Sequence, residues 1–100
     1  MDRESEKAAS DARVWVFHGD QAGFAAGVFA SQAQALARAA RHKVTGILTE
    51  YPVGEGCYDF NMRQGRFRPS KPHHGTAAHV ACFSPNLGHV HVHVVDGEPD

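Results

Sequence analysis

A chain of 100 residues, 42% hydrophobic and 21% charged, has room for one domain and the chemistry of an ordinary globular protein. A formal net charge of −1 supplies no global attraction to nucleic acid or to an anionic membrane, and no apolar run approaches the roughly 18 residues of a membrane span. Two cysteines, Cys57 and Cys82, are too few for a disulfide-built secreted scaffold, and the polar start Met1-Asp2-Arg3-Glu4 does not resemble a signal peptide. A cytoplasmic protein with both thiols free is the expectation.

Taken in order, residues 1–12 lack apolar periodicity and are expected to form a disordered tail, leaving one domain over 13–97. Arg13 to His18 is nearly all apolar and β-favouring. It predicts a strand covered on both faces, with Val14, Val16 and His18 on one side and Trp15 and Phe17 on the other. Turn residues at Gly19–Gly23 lead to a second, antiparallel strand over Phe24–Ala30, in which Gly27 marks a bulge or a close backbone approach. Ser31 to His42 predicts the main helix. Ser31 and Gln34 have the spacing of a capping box, Ala33, Leu36, Ala37 and Ala40 form an apolar stripe, and Arg41 and His42 oppose the negative end of the helix dipole. Val44 to Pro52, dense in β-branched and aromatic residues, predicts the central strand.

Beyond Val53 the pattern is weaker. Tyr58, Phe60 and Met62 alternate with polar residues as a strand would, yet the same segment could form a short helix ending at Gly65. Pro69 and Pro72 make residues 66–75 irregular. Thr76 caps a short predicted helix running to Phe83, with Val80 and Phe83 facing inward and Cys82 buried. After the turn cluster Ser84–Gly88, His89 to Val95 alternates histidine with valine. That period of two predicts a strand with Val90, Val92 and Val94 in the core, ended by residues 96–100.

These elements define an α+β fold of order β-β-α-β-α-α-β: a small, mainly antiparallel sheet of about four strands with one main helix packed on one face. The sequence segments Val14-Trp15-Val16-Phe17-His18-Gly19, Gly27-Val28-Phe29 and Thr45 to Val53, followed by Tyr58-Asp59-Phe60, Gly65, Phe67, Pro69 and Pro72-His73-His74, resemble a family of small bacterial proteins of unassigned function. The resemblance runs over roughly Val14 to Gly97, in the range of one domain. It implies helix rather than strand over Tyr58 to Gly65, where members of that family carry stronger helix formers. It implies no activity, ligand or site, and the His89–His93 run is richer in histidine than the family pattern.

Each chemically suggestive residue has an ordinary reading beside it. His89, His91 and His93 project from one strand face about 7 Å apart, and two such imidazoles can chelate zinc or nickel. A metal site also needs further ligands, for which His73, His74, Asp96 and Cys82 are candidates; without them the histidines form a solvated face. His73 and His74 sit in a proline-rich loop, where binding or simple capping are both open. Arg63, Arg66, Arg68 and Lys71 around Phe67 could hold a single nucleic-acid strand, but four charges are few and nucleic acid is not an expected partner. His79 lies three residues before Cys82, with no glycine-rich nucleophile turn nearby. Glu50, Tyr51 and Asp59 are further candidate binding residues. Glu50 and Asp59 could pair as carboxylates or serve as a strand acid and a helix-start acid.

The function expected from all this is a small non-catalytic binding or accessory module acting on an unidentified protein partner or by self-association, in the manner of an immunity-type toxin inhibitor by analogy alone. No cofactor and no membrane are expected. The alternatives are a histidine-based zinc or nickel protein and, further off, a small enzyme.

Overall fold

The alternation of Arg13-Val-Trp-Val-Phe-His-Gly is built as β1 (Arg13–Gly19), with Trp15 and Phe17 buried on one face and Val14, Val16 and His18 half-buried on the other. The computed structural model describes residues 12–85 and 90–100. The expected disordered tail, apart from Ala12, lies outside them, as does His89. β2 (Gly27–Phe29) is shorter than the expected 24–30 segment. Phe24 is 87% exposed, so nothing in its surroundings rewards extending the strand backward.

The helix α1 (Gln32–His42) begins at Ser31, whose Oγ accepts from the Gln34 backbone N–H at 3.1 Å. Gln34 reciprocates one residue earlier than in a standard capping box: its Oε1 accepts from Ala30 N at 3.0 Å. The buried stripe is Ala35 and Ala39, with Leu36 partly buried beside them. The helix is therefore rotated from the expected stripe: Ala33, Ala37 and Ala40 are all exposed. In a helix so rich in alanine the hydrophobic pattern alone leaves the inward face undetermined, and contact with the sheet selects it. The helix closes at Lys43 in the left-handed region, φ 54°.

β3 (Gly46–Pro52) is central, as expected. The sheet has the order β2-β1-β3-β4-β5 and every pairing is antiparallel. Trp15, Phe17, Ala35, Ala39, Leu48 and Val94 form the core, with Phe29, Leu36, Val44 and Val92 packed against it. Gly46 is needed at its position, since a Cβ there would collide with the His18 carbonyl oxygen and the Phe17 ring. Residues 57–63 take the helical alternative as α2 (Cys57–Arg63), which buries Phe60 and Asn61. The guanidinium of Arg13 lies 4.5 Å and that of Arg63 5.4 Å from the Phe60 ring centroid. Gly65 follows the helix at φ +73°.

α3 (Ala77–Ala81) is capped by Thr76 as expected, its hydroxyl accepting from His79 N. Val80 and Cys82 are exposed rather than inward, while Phe83 is half-buried. At five residues α3 has little more than one turn, too short to present a full inward stripe. β4 (His91–Val95) places Val92 and Val94 toward the core, but Val90 precedes the strand and is 53% exposed.

The fifth strand, β5 (Glu98–Pro99), goes beyond the four expected. Asp96 (φ 49°) and Gly97 (φ 86°) form the two-residue turn with both φ positive that twists a hairpin correctly. The Asp-Gly pair is a sequence signal for such a turn, whereas residues 96–100 are expected from the pattern only to end the strand. Thr45 anchors this turn, its Oγ1 accepting from Asp96 N at 3.0 Å, and Gly97 N donates to the Val44 carbonyl at 2.8 Å.

Candidate functional site

Helix α1 contacts β1, β2 and β5 from one side of the sheet. Strand register shows what the other side carries, because paired residues in antiparallel strands share a face. One row crosses four strands as Val28, Val16, Thr49 and His91. The next comprises His18, Ile47 and His93, and a third pairs Val14 with Tyr51. Val95, two residues beyond His93, extends the same face.

The β1, β3 and β4 positions of this face carry no fixed charge. At its β5 margin Glu98 is paired with Val95, and Asp100, whose N donates to the His93 carbonyl at 2.8 Å, continues that register. Val28 is 65% and Val95 49% exposed, His91 and His93 are exposed, and Val16 and Ile47 are half-buried. Thr49, in the middle of its row, is buried. His91 and His93 stand edge to face with ring centroids 5.6 Å apart. His18 Nε2–H donates to the Ala22 carbonyl at 2.6 Å, which holds its ring against the β1–β2 loop.

The other expected site residues are placed elsewhere. Glu50 is opposite Trp15, on the helix side of the sheet, and half-buried. Asp59 is exposed in the first turn of α2, the position that suits an acid at a helix start. Tyr51 shares the face opposite α1, at the end beside α2, and its hydroxyl pKa is raised by burial and then by the nearby Cys57 thiol. Burial likewise raises the Cys57 thiol. Arg63 forms an ion pair with Glu55 at 2.6 Å rather than belonging to a free basic stripe.

His73 and His74 join a separate aromatic cluster with His79, Tyr58, Phe67 and Phe83. Their centroids lie 4.5 Å apart, and His79 is 5.5 Å from His73 and stacks on His74 at 4.8 Å. Tyr58 meets His79 at 5.7 Å and Phe83 at 5.5 Å, and Phe67 meets Phe83 at 5.0 Å. Nothing in the sequence spacing announced that His79 would stack on a loop histidine five residues earlier. Among the described residues no group of three His, Cys, Asp or Glu side chains is arranged to hold a metal ion. The apolar cleft between α1 and β2, about 80 Å³, is well below the roughly 300 Å³ at which ligand pockets begin.

Fold and face together define a small α+β domain whose most accessible chemistry is a sheet surface of valines and imidazoles with acids at its β5 margin. The chain belongs to the family described as Domain of unknown function (DUF7710), whose model matches residues 14–100. That agrees with the resemblance to a family of unassigned function. No curated protein matches the chain, and no solved structure does. No helix among the described residues is long and apolar enough to cross a membrane.

Proposed function

We propose that the protein is a non-catalytic binding module that docks protein through the uncovered sheet face, with a second copy of the chain as the occupant. One observation carries the reading: the rows Val28–Val16–Thr49–His91 and His18–Ile47–His93 combine exposed valines with imidazoles, and the acids of this face, Glu98 and Asp100, stand only at its β5 margin. The central rows have no lysine, arginine or carboxylate, so they can meet their own image across a two-fold axis, with the acids of the β5 margin set outside the apolar centre. Exposed valines on one face supply the apolar area that association rewards. The edges of the sheet are less suited to pairing with another chain, because β2 has three residues, and β5 has two, one of them Pro99. The unbridged Cys57 and Cys82 fit a reducing cytoplasmic setting.

Sedimentation velocity from micromolar to millimolar concentration tests this. A dimer is expected, and Val28→Lys should return it to monomer with an unchanged circular-dichroism spectrum. A wild-type chain that stays monomeric throughout the range overturns the reading.

A further inference from the structure

The cluster built by residues 58–83 has a feature that docking through the sheet face leaves unused. Both of its stacked histidines accept hydrogen bonds at Nδ1. His74 Nδ1 accepts from Ser70 N at 2.9 Å and from Lys71 N at 3.3 Å, and His79 Nδ1 accepts from Gly75 N at 3.1 Å. An imidazole accepts at Nδ1 only while neutral, with its proton on Nε2; the imidazolium carries protons on both nitrogens and accepts nothing. We propose that Ser70–Phe83 is an acid-released latch, in which protonation of His74 and His79 breaks these three backbone bonds and frees the loop and α3 from Tyr58 and Phe67.

Geometry supplies two reasons for release. The first is the loss of acceptors: three backbone donors turn toward a group that has become a donor itself. The second is charge. His74 faces His73, His79 and Lys71, and His79 also faces the Tyr58 ring from α2. Phe67 and Phe83, the remaining neighbours, are uncharged. The sequence has no Asp or Glu from Phe60 to Val95, so the segment contains no carboxylate to balance an imidazolium. The His74 pKa is accordingly lowered, first by partial burial and then by His73, His79 and Lys71.

What the latch holds down is aromatic. Phe67 contacts His74 at 5.1 Å and His79 at 5.6 Å, and Tyr58 contacts Phe67 at 5.8 Å. The main core of Trp15, Phe17, Leu48 and Val94 contains none of these residues, so the segment can open while the sheet stays folded.

Hydrogen exchange read by mass spectrometry at about pH 7.5 and about pH 5, corrected for intrinsic rates, tests the proposal. Protection across Ser70–Phe83 should fall by at least about tenfold at the lower pH, while β1 and β3, whose exchange reports global unfolding, lose much less. In the double variant His74→Asn, His79→Asn, the Oδ1 atoms stand where Nδ1 stood and accept without titrating, so the pH response should vanish. A fall shared equally by β3, or one that persists in the double variant, overturns the latch. If the variant does not fold, the wild-type chain still decides: long-range ¹H–¹⁵N spectra above pH 7 must show an unprotonated Nδ1 on His74, and a protonated one overturns the proposal.

Discussion

Trp15 is the only tryptophan of the chain and sits 9% exposed between Phe29 on β2 and Glu50 on β3. Its ring shares the core with a helix face made of Ala35 and Ala39, side chains too small to close over a vacancy. Trp15→Ala should therefore cost about 3–5 kcal/mol, much of the stability available to a domain of this size. Urea denaturation measures it, and an unchanged midpoint would mean that Trp15 contributes no core packing. Asn61 shows a different economy at the same scale. It is fully buried, its Nδ2 donates to the Cys57 carbonyl at 2.8 Å, and its Oδ1 has no hydrogen-bond partner among the described residues. Its backbone carbonyl accepts from Arg66 and Phe67, so this residue ties α2 to the loop that carries the aromatic cluster.

Among the elements, β4 is where metal binding and docking would compete for the same side chains. His91 and His93 share a face, with rings 5.6 Å apart, opposite Thr49 and Ile47 of β3. A strand brings two imidazoles together, and a committed zinc site requires a third or fourth ligand. Zinc is therefore expected to bind more weakly than micromolar, and His91→Gln to leave that binding unchanged, as measured by titration calorimetry. Submicromolar binding that releases protons and disappears in His91→Gln would make the face a metal site instead.

For the whole molecule, the distribution of charge matters more than its sum. The net charge is −1, yet residues 60–95 contain Arg63, Arg66, Arg68 and Lys71 and six histidines without an acid. Acidification adds positive charge to a segment whose own residues include no acid. The lowered native pKa of His74 gives the sign. As pH falls below the ordinary histidine value of 6.5, the unfolded chain takes up the proton before the folded one does. Stability should be complete above that value and decrease as pH falls through it toward the lowered native pKa. Denaturant midpoints measured at intervals from about pH 8 to about pH 5 should decline, and a flat profile would mean that the His74 environment does not disfavour its charge.

Much of this architecture is legible in residue order. The two-sided alternation of β1, the capped α1, the β-branched β3 and the histidine–valine alternation of β4 are local patterns, and local backbone preferences reproduce them in three dimensions. The helix over Cys57–Arg63 follows from the family resemblance rather than from its periodicity. Tertiary structure decided the rest, because those features depend on partners distant in sequence. Contact with the sheet chose Ala35 and Ala39 over the equally small Ala33, Ala37 and Ala40. Register placed Val28, Val16, Thr49 and His91 in one row, although they come from four strands far apart along the chain. The stacking of His79 on His74 required a loop and a short helix to fold back on α2, and no spacing in the sequence encodes that return. Sequence determined which side chains each strand and helix could offer; only packing determined which of them would face one another, since a face exists only once elements are apposed.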